Sequence, residues 1–474
     1  ALKQKIPASE INFNIAGDIT NVRSDRLVAG RLIAAERLAL RAKTDEITLT
    51  GAGRIDAIPV EGTWRMPFGK AGAGSRLSGQ VELSDKFVET FNIGLPPGSI
   101  SGKGRGDVTL DLRADGPARF ALSSNLRGLN VAIAPLGYRK SANARGSLNV
   151  RGVVGSKKTG PPVVESLAFD APGLKANGSI TISASGTLER AQFGRVQVGD
   201  WLDSPVTLTG RGRNASPAVS LNGGFLDLRR IPAQNAGAAS AGATPLNVSL
   251  DRMQVTKEIA LRNFEGQFQS SGGLNGNFNA RLNGKGRIEG RTTPRNGHTA
   301  VQITSANAGA TLSDAGLLKN ANEGAMTLNL FPREAAGQYD GNLNIKNLRL
   351  RDAPPALALL SAASGIGLLE QLDGRGLVFT DVNSTFRITP KTIVVSEGSA
   401  IGPSLGFSVD GYYDVANKQL DMQGVVSPFF VINGIGSIFT RRGEGLIGFN
   451  FLASGPASAP KFDVNPLSLF TPGM

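Results

Sequence analysis

The chain has 474 residues and 40% hydrophobic content, enough for roughly two to four folded domains and too apolar for a disordered chain. It contains no cysteine, which excludes disulfides and thiolate metal sites and fits a periplasm or a cytosol equally. Lysine and arginine (51) outnumber aspartate and glutamate (38) for a net charge of +13, which favours acidic partners. The cations are scattered singly, the pattern of a solvated face, so nucleic acid is not expected as a partner.

Period-two alternation dominates from the start. Val108, Leu110 and Leu112 alternate with Asp107, Thr109, Asp111 and Arg113, and the same reading fits Leu148 with Val150 and Ile180 with Ile182. It continues through Met326, Leu328 and Leu330, Leu343 and Ile345, then Leu405, Phe407 and Val409, and Leu420 and Met422. Alternation of this kind gives antiparallel strands with one apolar and one wet face. Asp115-Gly116, Asn177-Gly178, Asn283-Gly284 and Asp410-Gly411 are read as hairpin breaks between strands.

No sharp repeat is present, so the expected fold is mostly β: a long, curved antiparallel sheet whose apolar face forms a groove. The segment 1–232 forms the N-terminal part of that sheet, the small-residue stretch 233–245 a flexible loop, and 246–351 a middle part.

Two segments promise short helices near the C-terminal end. Asp352 is a candidate cap with Pro354 and Pro355 in the first turn, and the Leu-rich run to Gly374 is split by Gly365 and Gly367. It is too short and broken to span a bilayer, so packing on the sheet is the expectation. From Ser427, a candidate N-cap followed by Pro428, run Phe429, Phe430, Ile435, Ile438 and Phe439, closed by Arg441 and Arg442. That pattern suits a helix at a membrane surface or one plugging the end of an apolar groove. No window holds the roughly 20 consecutive apolar residues of a membrane span. The closing run Lys461-Phe462-Asp463-Val464 reads as a strand that ends in the turn at Asn465-Pro466.

Candidate chemistry fails residue by residue. His298 is the single histidine and has no partner for a zinc site or a catalytic pair. Gly98 to Gly104 is one residue short of a phosphate-binding loop between its glycines and lacks the hydroxyl that holds magnesium. Asp107, Asp111 and Asp115 are spaced too widely for a calcium loop. Arg-Gly pairs such as Arg105-Gly106 and Arg211-Gly212 fit strand edges better than RNA-binding tails. No catalytic residue, metal or cofactor is therefore expected. What remains is physical: an apolar face whose candidate members are the fifteen residues from Val108 to Val409 named above.

From about Asp352 to Met474 the chain resembles the AsmA-like family of bacterial envelope proteins, in the family's C-terminal domain. The resemblance rests on ordered pieces: Asp352-Ala353-Pro354, Gly374-Arg375-Gly376, Gly402-Pro403-Ser404-Leu405-Gly406 and Gly411-Tyr412-Tyr413-Asp414. Val426-Ser427-Pro428 with Asn433, Gly443-Glu444-Gly445, Ser454-Gly455-Pro456, Pro460-Lys461 and Asn465-Pro466-Leu467-Ser468 complete it. One departure is Ile435-Gly436-Ser437-Ile438, where many members carry a proline.

The resemblance makes 352–474 the AsmA-like domain and implies a repeating β-groove, periplasmic in a Gram-negative bacterium. It implies an inner-membrane anchor by an N-terminal helix outside this chain, and phospholipid passage between inner and outer membranes. Phospholipids, both membranes and other envelope proteins are the implied partners. The alternative is a scaffold that assists outer-membrane protein assembly or envelope integrity, holding client strands at a sheet edge.

Overall fold

Successive side chains leave a strand on opposite faces, so sustained alternation builds sheet rather than helix. The protein, described by a computed structural model, is accordingly mostly β. The described residues are 12–28, 31–68, 74–113, 116–155, 160–213, 215–232, 243–318, 320–351, 376–403, 405–428 and 448–468. The chain divides into two compact units, Ala1–Gly242 and Ala243–Met474, each built on a long curved antiparallel sheet.

In the first unit the strands pair in chain order: Asn14–Val28, Arg31–Lys43, Glu46–Ile55, Ile58–Pro67 and Ser75–Leu83. The ladder then takes up Gly104–Leu112, Arg119–Ser124, Ser147–Val153, Val163–Ala171, Leu174–Ile182, Leu188–Val198 and Leu202–Thr209. Two excursions leave it at one rim. The first carries the helix α1 (Asp85–Thr90), whose Phe87 packs with Phe91 against the buried cluster of Ile58, Val81, Leu83, Leu126 and Leu129. Together the excursions supply a three-stranded sheet of Ile100–Gly102, Leu129–Ile133 and Tyr138–Lys140. After α1, Asn92 donates to the carbonyl of Gly186 at 3.4 Å. Gly186 lies in a turn on the opposite rim, so the excursion after α1 bridges the two rims there.

The second unit repeats the scheme from Thr244–Gln254 to Lys461–Asn465, again by antiparallel pairing of successive long strands. The helix α2 (Ala308–Asp314) is capped by Asn307, which accepts from the Ala310 amide at 3.0 Å, and packs against Met326 and Ile345. Opposite rims meet here. Glu258, in the turn after Thr244–Gln254, pairs with Lys418, in the turn after Leu405–Asp414, at 3.6 Å. The last strand ends in a 3-10 turn, Pro466–Ser468. Buried Ser468 accepts from the Asn450 amide at 2.8 Å and thereby ties the end of the chain to the sheet.

Several expected breaks lie elsewhere. Asn283-Gly284 does turn the chain, between Leu274–Leu282 and Gly286–Arg295, and Asn296-Gly297 makes a two-residue hairpin turn with both residues at positive φ, 49° and 77°. Asn177-Gly178 and Asp410-Gly411, however, sit inside the strands Leu174–Ile182 and Leu405–Asp414. Gly178 is needed there because the facing strand approaches too closely for a side chain, first at the Gln192 carbonyl and then at the backbone and ring of Phe193, and Gly411 because its φ is 138°. Thr244 and Pro245, expected to close a loop, already belong to a strand. Ser427 and Pro428 do not open a helix: they end the strand Gln419–Pro428, opposite Gly406 and Leu405, and Ser427 is fully buried. Their alternation with Val426 continues the sheet pattern, and this outweighs the Ser-Pro cap signal. The remaining helix candidates, 352–374 and 429–442, lie outside the described residues, Phe429, Phe430, Ile435, Ile438, Phe439, Arg441 and Arg442 included.

The three-stranded sheet is anchored by a buried lysine. Lys140 Nζ donates to the carbonyls of Leu126, Leu129 and Ser141 at 2.7, 2.9 and 3.0 Å, while burial pushes the pKa of the ammonium below its ordinary value. Lys140→Met strips those buried carbonyls of their donor and is expected to cost about 2 kcal/mol or more in urea unfolding. A loss within about 0.5 kcal/mol of zero would mean that the carbonyls find other donors.

Candidate functional site

The site is one face of each sheet, and cross-strand register decides which residues share it. Residues directly opposite in an antiparallel pair point to the same side. In the first unit Leu40, Leu49, Trp64, Leu77, Leu110 and Phe120 form a row across successive strands. Beside it run Val108, Leu122, Val150, Leu167 and Gly178. Leu148 faces Phe169, Ile180 faces Val164 and Ala191, Ile182 faces Leu188, and Leu112 continues the strand of Leu110. All seven candidates of this unit thus lie on one face, and all are half-buried.

In the second unit Met326, Ile345, Val382, Ala400, Phe407, Val426 and Phe449 form a row. Leu328 opposes Leu343 and Ile303, Leu330 opposes Gly341 and Val301, and Val409 opposes Gly398 and Gly424. Leu405 shares the face of Phe407 and Val409. Met326, Ile345 and Leu405 are buried at one side of the trough, whereas Leu328, Leu330, Leu343, Phe407 and Val409 are half-buried. The apolar side is therefore the concave one, closed towards one rim and half-open elsewhere. At the first strand among the described residues it is open outright, with Ile15 at 54% exposure.

Sequence reading missed a recurring partner of these residues. A phenylalanine directly opposes a glycine at Phe120 and Gly152, Phe193 and Gly178, Phe278 and Gly290, Phe386 and Gly341, and Phe451 and Gly424. None of these glycines has a positive φ, so backbone freedom is not what they supply. On Gly290 or Gly341 a Cβ would overlap the ring itself, whereas on Gly152 or Gly424 it would first meet a backbone carbonyl, of Val163 or Ser408, and then a ring carbon of Phe120 or Phe451 at 2.9 Å. Each ring lies down on the facing strand. The signal was present as glycines falling in the apolar phase, but only register shows which ring covers which glycine.

The convex face is polar and ion-paired. Arg76 and Asp111 are direct cross-strand partners, as are Lys346 and Asp381, and Arg195 grips Asp203 at 2.8 and 2.6 Å. Thr109 lies on this face, opposite Ser78 and Ala121. Arg262, Arg281 and Arg287 stand in one row across three strands, a like-charge strip that repels itself and offers a cationic outer surface. His298 is an exposed strand end opposite Arg295. Among the described residues no group of three or more His, Cys, Asp or Glu is placed to hold a metal, and no helix is long and apolar enough to cross a membrane.

Comparison with protein-family models, with curated proteins and with solved structures finds no match. The functional reading therefore rests on residues and geometry.

Asp340 accepts from Arg387 Nε and Arg333 Nη1, both at 2.8 Å, and these bonds, Arg387 first, hold its carboxyl below the ordinary value. A depressed carboxyl contributes stability above its unfolded value and loses it as pH falls through the folded one. Below about pH 4 the wild type should lose stability more steeply than Asp340→Asn. At neutral pH the exposed cluster should be worth less than about 1 kcal/mol. Parallel urea-unfolding profiles from pH 7 to 3 would show that the cluster contributes nothing.

Proposed function

We propose that the chain carries phospholipid between the inner and outer membranes of a Gram-negative envelope, with acyl chains on the apolar faces and headgroups at the wet rims. The observation that carries this reading is the row structure of each concave face, apolar from strand to strand, half-exposed through the first unit and, in the second, half-exposed at Leu328, Leu330, Leu343, Phe407 and Val409 beside a buried margin. Contiguous apolar surface of this kind marks a binding site rather than an ordinary solvent boundary. Drawing a diacyl lipid from a bilayer exposes two tails, at ~0.8 kcal/mol per CH₂ and about 16 carbons each, on the order of 25 kcal/mol. No small set of hydrogen bonds offsets that, whereas a long apolar trough does. The surplus of cations suits anionic headgroups. The AsmA-like pieces between Asp352 and Met474 point the same way, and the reading assigns no catalytic role.

One observation favours the alternative, a scaffold for outer-membrane protein assembly. Asn14–Val28 is a 15-residue strand with a single strand partner among the described residues, and a strand in that position offers a template for a client strand.

Gentle purification followed by lipid extraction separates the two. Phospholipid at about one or more per chain supports transport; a lipid-free protein that captures unfolded barrel proteins overturns it. Placing aspartate at Leu110, Leu328 or Phe407 should abolish photocrosslinking to lipid, whereas Thr109→Asp on the convex face should leave it unchanged. Equal effects on the two faces would overturn the assignment of the concave face.

A further inference from the structure

We infer that the phenylalanine–glycine pairs set the depth of the trough, keeping room for an acyl chain above rings that would otherwise fill it. The inference rests on the reading of the concave faces as lipid-binding. An aromatic ring opposite an ordinary residue stands out from the sheet and occupies the space over it. Opposite a glycine it lies flat on the neighbouring backbone, covering polar peptide with apolar surface at the height of one ring. Phe278 over Gly290 and Phe386 over Gly341 show this most fully, since a methyl on either glycine would coincide with ring atoms. Both rings lie on the apolar face and are half-buried. Phe264, buried, stacks against Phe278 at 5.2 Å between centroids and 24° between planes and holds that ring in place. The expected occupant is an extended acyl chain lying across these rings, because a flat aromatic floor offers contact area without a directional polar group.

A purely structural account is that the ring only offsets the weak strand propensity of the facing glycine. The two accounts part on mutation, with phospholipid per chain and acyl composition read by mass spectrometry on the full chain, and folding followed by thermal melting. Gly290→Ala with Gly341→Ala lifts the rings and should lower bound lipid by about twofold or more, while the protein remains folded. Phe278→Ala with Phe386→Ala removes the floor but deepens the trough, and should lower bound lipid less than the glycine variant does while shifting it to bulkier chains, even though melting falls. Combining all four changes should restore lipid relative to the glycine variant. Wild-type lipid content in a folded glycine variant overturns the inference, as does a loss in the phenylalanine variant equal to that in the glycine variant. Should the glycine variant not fold, the phenylalanine variant decides alone: a shift of the bound lipid to bulkier chains supports the inference, and an unchanged acyl composition or no bound lipid overturns it. A wild-type chain that binds no phospholipid overturns the underlying reading of the concave faces instead.

Discussion

Cross-strand register is the constraint on which everything else depends. A strand has a side-chain period of two, so a slip of one residue moves every apolar side chain to the opposite face. Over a meander this long an uncorrected slip would scramble the faces of all later strands. The bulges prevent that. In Leu188–Val198 the apolar residues Phe193 and Val196 are three apart, out of phase by alternation. A shift between them lets Phe193 face Val206 and Val196 face Ser204 on the same side. Thr392–Ile401 does the same between Val395 and Gly398, and Ala260–Ser270 between Arg262 and Glu265, where Asn263 takes a φ of 48°. Bulges also sharpen the local twist, so the devices that keep the faces in phase help to curl the sheet into a trough.

Much of this was legible in the sequence and some was not, for identifiable physical reasons. Alternation is local, so runs such as Leu110 and Leu112, or Leu405, Phe407 and Val409, identify their own face without knowledge of any partner. The fold class follows from many such runs. Glycine is ambiguous at the same level: Asn283-Gly284 and Asn177-Gly178 look alike as dipeptides, yet one turns the chain and the other runs straight through a strand. What separates them is Phe193, which lies directly opposite Gly178 and fifteen residues further along the chain. Non-local information of that kind cannot be read from spacing. Ser427-Pro428 misled for a related reason, since a capping signal is local and the pairing with Gly406 and Leu405 is not.

The same contrast explains why no motif announces the site. A catalytic centre needs particular groups at particular distances, and its residue types betray it. A trough needs only that apolar residues recur in phase and that nothing tall stands in the way. The first requirement is met by ordinary leucine, valine and isoleucine. The second is met by glycine, the absence of a side chain, which leaves no positive signal at all.

An open apolar face must also avoid collapse and aggregation, and the polar side of the sheet bears on both. Cross-strand pairs such as Arg76 with Asp111 and Lys346 with Asp381 hold neighbouring strands in register from outside, without occupying the trough. Exposed pairs are individually weak, so their effect lies in specificity: a slipped register would separate the partners and leave each charge opposite an uncharged residue such as Leu110 or Val382. The uncompensated row of Arg262, Arg281 and Arg287 does the reverse locally and disfavours association of that outer face with another copy of itself. The rim contacts, Asn92 with Gly186 in one unit and Glu258 with Lys418 in the other, hold the curl against the tendency of a sheet to flatten and expose its apolar side. Register, bulges, glycines and outer charges thus act on one quantity, the amount of apolar surface left accessible inside each trough.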